Sequence, residues 1–312
     1  MRQAVMIAGP TCSGKSALAL ALADRLGGTV INADSMQVYR ELPILTARPT
    51  AAEEAAVPHR LYGVLPASQT GSVAWWRAAA LAEMAACARP ILCGGTGMYL
   101  QALAAGLAEI PEPGEAARTE ARALLAADGP AALHARLTAA DPQTAATLRP
   151  SDGQRVARAW EVWLGTGRGL AAWQLMAGPP APFGFRVILL EPDREVLRAA
   201  VATRFDAMLA TGAVDEVRAL LAQGLDPGLP AMRAHGVTEL AAWLRREVDF
   251  ATARERSVVS TRRYVKRQAT WFRNRKIAEQ TRTRIIHARF ESMKQFSERE
   301  WREIVTFVCS QG

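Results

Sequence analysis

The chain opens on a short apolar run, Ala4-Val5-Met6-Ile7-Ala8, followed at once by glycine and proline. A run this short and this uniform predicts a strand buried on both faces. The next stretch, Ala17-Leu18-Ala19-Leu20-Ala21-Leu22-Ala23-Asp24-Arg25-Leu26, reads as a helix and ends at Gly27-Gly28, where a left-handed C-cap belongs. Three more apolar runs predict strands: Thr29-Val30-Ile31-Asn32-Ala33, Pro90-Ile91-Leu92-Cys93 and Phe185-Arg186-Val187-Ile188-Leu189-Leu190. Thr283-Arg284-Ile285-Ile286-His287 is a late strand candidate, and helical composition fills 73–88, 194–209, 214–223 and 298–308. Buried strands alternating with helices predict an α/β fold built on a parallel sheet.

Two regions break the alternation. Residues 40–72 are polar and proline-bearing and read as loop with short elements. Between 111 and 182 strand signals vanish, and helices are expected at 115–127, 131–140 and 154–164, separated by Gly-Pro, Asp-Pro and Pro-Ser-Asp-Gly breaks. The expected organisation is therefore a core from 1–110 and 183–312, interrupted by a helical insertion domain at 111–182.

The first strand-to-helix junction carries Gly9-Pro10-Thr11-Cys12-Ser13-Gly14-Lys15-Ser16, which fits the phosphate-loop pattern in its proper strand–loop–helix context. Its glycines let backbone N–H groups turn toward phosphate oxygens, and the helix N-terminus adds positive potential. Lys15 supplies a charge for the outer phosphates and the Ser16 hydroxyl a ligand for Mg²⁺. Ligands of parallel α/β sheets bind at the carboxyl ends of the strands, so Asp34 is expected on the same rim. Gly94-Gly95-Thr96-Gly97 ends another strand there, either as a plain turn or as a place of close backbone approach to a ligand.

Composition adds a partner class. The 312 residues carry a net charge of +8, which suggests a polyanion without naming it. Twelve of the bases fall in 254–289 against only Glu255 and Glu279, with Tyr264, Trp271 and Phe272 among them. Aromatics interleaved with bases beside a phosphate-binding core point to nucleic-acid contact rather than a merely solvated helix face. The four cysteines show no metal-ligand spacing, the N-terminus runs directly into a strand, and no apolar run approaches membrane-spanning length. A cytoplasmic protein with reduced thiols, no membrane contact and a monomeric state is expected.

Together these pieces resemble the bacterial-type tRNA dimethylallyltransferases, also called tRNA isopentenyltransferases. The motifs are the phosphate loop, Asp34-Ser35-Met36-Gln37-Val38-Tyr39, Thr46-Ala47-Arg48-Pro49, Pro58-His59, Gly94-Gly95-Thr96-Gly97 and Gln154-Arg155-Val156-Ala157-Arg158. Gly212 with Glu216-Val217-Arg218 and Lys266-Arg267-Gln268-Ala269-Thr270-Trp271-Phe272-Arg273 complete the set, which runs from Gly9 to about Arg275. The chain departs from the family at Pro43-Ile44-Leu45-Thr46-Ala47-Arg48, where Asp-Ile-Gly-Thr-Ala-Lys is usual. A common Gly-Tyr-Arg-Glu is here Gly236-Val237-Thr238-Glu239, and a common Arg-Gln is Arg262-Arg263.

The resemblance implies a P-loop kinase-like core and an insertion that grips the anticodon stem-loop. It also implies a reaction: transfer of a dimethylallyl group from dimethylallyl diphosphate to N6 of the adenine at position 37, in tRNAs reading codons that begin with U. Asp34 is then the expected base and Thr96 a donor to the oxygen bridging allyl group and diphosphate. Residues 9–16, Arg218 and a Mg²⁺ ion held partly by Ser16 form the expected diphosphate cradle. Expected tRNA contacts are Asp34, Ser35, Met36, Gln37, Thr96, Arg118, Gln154, Arg155, Val156, Ala157, Arg158, Arg233, Arg262, Lys266, Arg267 and Arg273. Rival readings are a small-molecule kinase, an isopentenyltransferase acting on free adenine nucleotides, and a non-catalytic RNA-binding module. The first two leave the basic C-terminal region without a role, and Asp34 and Thr96 beside the loop argue against the third.

Overall fold

The computed structural model describes residues 2–310. The chain divides into two compact units, Met1–Ala104 with Ala181–Gly312, and Ala105–Pro180. Elements of the first unit begin with β1 (Arg2–Ala8), α1 (Lys15–Leu26), β2 (Thr29–Asn32), α2 (Ala51–Ala56) and β3 (His59–Arg60). They continue with α3 (Val73–Ala86), β4 (Pro90–Gly94) and α4 (Gly97–Ala105). The second unit holds α5 (Glu115–Ala140), α6 (Pro142–Ala145), α7 (Gly153–Thr166) and α8 (Leu170–Gln174). The chain then returns through β5 (Phe183–Leu190), α9 (Arg194–Ala210), α10 (Ala213–Leu221), α11 (Val237–Leu244), α12 (Phe250–Asn274), β6 (Thr283–Ile286) and α13 (Glu298–Cys309).

Six strands form one parallel sheet in the order β3-β2-β4-β1-β5-β6. Successive residues of β1 feed opposite cores, which is why the strand is apolar throughout. Ala4, Met6 and Ala8 face a layer that includes Trp76, Leu100, Leu197, Val217, Leu240 and Val265. Val5 and Ile7 face Leu18 and Leu22 of α1 and Ile304 and Val308 of α13. Helices therefore cover both faces, and the carboxyl ends of β1, β2 and β4 are left to build one rim.

The second unit is all helix apart from an isolated bridge between Ala108 and Ala177. In α5 the Gly-Pro break is a kink, with Gly129 at φ 78° inside one continuous element. Leu133, Leu137, Ala145, Val156, Ala157 and Ala159 pack its small core. Asp141 and Asp152 cap α6 and α7 by accepting from the backbone N–H groups of Thr144 and Arg155. Among the described residues no helix is long and apolar enough to cross a membrane.

Candidate active site

The phosphate loop is held from two sides. Arg289 Nε donates to the Cys12 carbonyl at 3.1 Å and the Phe290 N–H to the Ser13 carbonyl at 2.9 Å, both from the segment after β6. Gly14 sits at φ 88°, and a Cβ there would strike the Phe290 backbone, so both geometry and space demand glycine. Cys12 also lies in the left-handed region at φ 68°, a local strain that this bracing sustains.

Two of the loop's amides are already committed. Ser13 N–H donates to the Pro10 carbonyl at 3.2 Å, and Thr11 N–H to Gln268 Oε1 at 2.8 Å. The N–H groups at the start of α1, from Lys15 onward, have no partner within the helix and are the ones available to phosphate oxygens. Lys15 itself is buried, with Nζ 3.4 Å from the Pro10 carbonyl. Burial pushes its ammonium below the ordinary lysine pKa and Arg204 adds to that, while the Asp34 carboxylate is the main opposing influence. Ser16 is exposed at the first turn of α1.

Asp34 follows β2 and is buried. Its N–H donates to Asn32 Oδ1 at 2.8 Å, and its Oδ1 accepts from Met36 N–H at 2.9 Å. Asn32 holds the turn further by donating to the carbonyls of Asp34 and Leu61, both at 3.0 Å. Thr96 comes from the end of β4, where its Oγ1 accepts from Ser35 N–H at 3.0 Å and lies 3.3 Å from Ser35 Oγ. The predicted catalytic pair is thus joined through one residue. A small cleft above them is lined by Thr11, Cys12, Asp34, Met36, Arg204 and Tyr264, among others.

The glycines at the end of β4 serve the protein's own packing. A Cβ on Gly94 would strike the Ala33 backbone, one on Gly95 the Gln268 amide, and one on Gly97 the Trp271 ring. Close approach at this turn is to neighbouring chain. Gln268 then bridges the two loops, donating from Nε2 to the Gly95 carbonyl at 2.9 Å while accepting from Thr11.

Several expected site residues lie elsewhere. Arg218 does not reach the phosphate loop: it is exposed on α10 and pairs with Asp215 at 2.7 Å. The arginine at the loop is Arg204, whose Nη1 lies 3.9 Å from Cys12 Sγ and Nη2 3.4 Å from the Thr46 carbonyl. Sequence reasoning missed it, although a signal exists. Leu197, Val201, Arg204 and Met208 share one face of α9, so Arg204 interrupts an apolar stripe. Glu216, in the same motif as Arg218, accepts from the N–H groups of Ile44 and Leu45 at 2.6 and 2.9 Å and so braces the loop beside the cleft.

Of the expected tRNA contacts, Val156 and Ala157 are in the core of the helical unit and offer no side chain to a ligand. Gln37 turns inward and donates to the Thr46 and Ala47 carbonyls. Arg262 donates to the Arg198 carbonyl at 3.2 and 3.1 Å, and Arg273 pairs with Glu191 at 3.0 Å. Arg118 is paired with Glu112 and Glu115, Arg155 with Asp152 and Arg158 with Glu161. Gln154, Arg233, Lys266 and Arg267 are exposed. The aromatics among the bases are not stacking platforms on an open face. Phe272 is buried, Trp271 packs on Gly97, and Tyr264 reaches toward Thr96 and Gln268, its hydroxyl pKa raised by burial.

A family model described as IPP transferase matches residues 37–275, and one described as isopentenyl transferase matches residues 2–66. The chain belongs to the IPP transferase family. It is 58% identical to a tRNA dimethylallyltransferase of Granulibacter bethesdensis over 98% of each chain. It is also similar to the solved full-length tRNA isopentenylpyrophosphate transferase of Bacillus halodurans, at 32% identity and TM-score 0.69, covering 99% of this chain and 96% of that one. A eukaryotic dimethylallyltransferase acting on tRNA matches at 25% identity and TM-score 0.78, over 97% of this chain and 78% of that one. The α/β fold with its parallel sheet is the fold of these enzymes.

Proposed function

We propose that this chain is an enzyme that transfers a dimethylallyl group from dimethylallyl diphosphate to N6 of the adenine at position 37 in tRNAs reading codons that begin with U. The observation that carries the reading is the single rim on which Lys15, Asp34, Thr96 and Arg204 meet. The exocyclic amine is a weak nucleophile, and the allylic carbon is electrophilic only when charge on the departing diphosphate is neutralised. Helix-start amides, Lys15 and Arg204 supply that neutralisation, and the Thr96 hydroxyl donates to the bridging oxygen. As the N6–C1 bond forms and the C1–O bond breaks, Asp34 takes the amine proton through the carboxylate oxygen that Met36 leaves free. Pyrophosphate leaves with the negative charge.

The donor set suits Mg²⁺. The Ser16 hydroxyl, exposed at the first turn of α1, would hold an ion whose other ligands are phosphate oxygens and water. Among the described residues no cluster of three His, Cys, Asp or Glu would compete by holding a metal outright. When bound, the ion would add charge neutralisation at the diphosphate.

The protein works as a monomer in the cytoplasm and reads the anticodon stem-loop. Exposed Gln154 and Arg155 and half-buried Arg118 and Arg158 of the helical unit, and exposed Arg233, Lys266 and Arg267 of the other, are the groups that serve this. Drawing the base out of the loop stack costs about a few kcal/mol, which contacts from Ser35, Met36 and Thr96 offset.

The test is single-turnover transfer from radiolabelled dimethylallyl diphosphate with Mg²⁺. The acceptors are a stem-loop with adenine at position 37, the same RNA with guanine there, and AMP. Label in the adenine-bearing RNA alone is expected. Label in AMP alone, or ATP turnover without transfer, would overturn the reading.

A further inference from the structure

The segment between β6 and α13 reaches back to the phosphate loop. Arg289 is the last base of the run 254–289, and its guanidinium is spent on the loop itself, Nε donating to the Cys12 carbonyl at 3.1 Å. The next residue adds a second bond, from Phe290 N–H to the Ser13 carbonyl at 2.9 Å. Two successive peptide units of the loop are therefore gripped by their carbonyl oxygens.

A trans peptide points its C=O and N–H in opposite directions, so a grip on the carbonyl aims the amide. The Cys12–Ser13 unit sends its N–H to the Pro10 carbonyl, at 3.2 Å. The Ser13–Gly14 unit turns its N–H away from Phe290, and among the described residues Gly14 N–H has no acceptor. Cys12 and Gly14 are both left-handed, at φ 68° and 88°, a backbone that turns successive N–H groups into an anion-binding hollow.

The grip is itself held in shape. Gln295 Nε2 donates to the Arg289 carbonyl at 2.8 Å, and its Oε1 accepts from Glu291 N–H at 3.0 Å. Phe290 is buried, stacks on Phe296 with ring centroids 5.7 Å apart, and shares a core with Ile304 and Val308 of α13. Glu291 pairs with Arg289 and offsets its charge, so what the guanidinium gives the loop is direction. We infer that residues 289–296 belong to the diphosphate site. Arg289 is a positioning residue that aims the loop amides, and docking of this segment with α13 is coupled to diphosphate binding. This rests on diphosphate binding at residues 9–16, as read above. Coupling is reciprocal: the factor by which the docked segment raises diphosphate affinity is the factor by which bound diphosphate tightens the segment on the loop.

The experiment titrates inorganic pyrophosphate with Mg²⁺ into the full-length protein by calorimetry, and measures kcat and the KM for dimethylallyl diphosphate at saturating stem-loop RNA. Arg289→Met keeps a long side chain without its N–H groups. It should weaken pyrophosphate binding and raise that KM by about 3–10-fold, with kcat within about twofold. Arg289→Lys, whose ammonium sits one bond beyond the arginine Nε, should restore most of the loss. Arg299→Met, exposed on α13 and paired with Glu303, should match the wild type. In the wild type, saturating pyrophosphate should slow hydrogen exchange at the Phe290 amide by about the same 3–10-fold.

Wild-type pyrophosphate affinity in Arg289→Met would overturn the positioning role. So would an equal loss in Arg299→Met, a loss that Arg289→Lys fails to restore, or a fall in kcat with KM unchanged. Exchange at Phe290 indifferent to pyrophosphate would overturn the coupling, and that readout needs no variant. Failure of the transfer reading looks different: pyrophosphate would still bind and protect Phe290 while no label reached RNA.

Discussion

The carboxamide of Gln268 joins the two loops that carry the proposed chemistry, and its removal should be felt in both. Gln268→Ala deletes the acceptor for Thr11 N–H and the donor to the Gly95 carbonyl, bonds of 2.8 and 2.9 Å. A buried polar group stripped of its partner costs about 1–3 kcal/mol. Gly95 is buried and its carbonyl takes the upper part of that range, whereas Thr11 is partly exposed and water restores some of its loss. The sum is about 2–4 kcal/mol, a large fraction of the roughly 5–15 kcal/mol that holds a typical domain together.

Two readouts separate this from a generic core defect. Hydrogen exchange should quicken at the Thr11 amide, and the KM for dimethylallyl diphosphate should rise as the loop loses its brace. Gln268→Glu splits the pair. It keeps an acceptor for Thr11, so protection there should survive, but it turns a carboxylate oxygen toward the Gly95 carbonyl and should still lower the melting temperature. Unchanged exchange at Thr11 in Gln268→Ala, with a melting temperature and donor KM like the wild type's, would refute the bridging role.

Arg204→Gln should lower kcat/KM by about 10²–10³ through lost neutralisation of the leaving diphosphate, while Arg218→Gln stays within about twofold. Steady-state kinetics decides, and equal losses would contradict the placement of the two arginines. Asp34→Asn should reduce single-turnover transfer by about 10²–10⁴ with donor affinity little changed; a loss confined to donor or Mg²⁺ binding would remove it as the base. Burial holds His235 below its ordinary pKa of 6.5, against the pull of Glu239. The unfolded chain then binds the extra proton first, so stability is full above about pH 6.5 and falls as pH drops through it toward the folded-state value. Melting curves from about pH 5 to 8 should show this slope, flattened in His235→Gln. Burial pushes the Cys93 thiol up to about 11, so a thiol reagent at about pH 8 should label exposed Cys309 and leave Cys93 untouched in the native protein.

What the chain discloses about itself follows the range of the interactions. Strands and helices were legible because the periods that specify them are local: β1 is apolar at every position because both its faces are covered, and α1 stops where Gly27 stops it. The phosphate loop and Asp34 were legible for the same reason, since each follows directly from a strand whose carboxyl end the fold must place on one rim. Which arginine serves that rim was not. Arg204 and Arg218 both sit on amphipathic helices after β5, and only the packing of α9 against the cleft turns one of them inward. The basic run misled in a related way. Its aromatics follow the buried stripe of α12, where Val258, Val265 and Phe272 recur every seven residues, so Tyr264 and Trp271 pack beside that seam and not on an RNA-facing surface. Charge on that helix faces outward because the aromatics face in. Gln268, polar in sequence and buried in the fold, lies on the same inward face. It is tolerated there because Thr11 and Gly95, from two different loops, satisfy its amide at both ends.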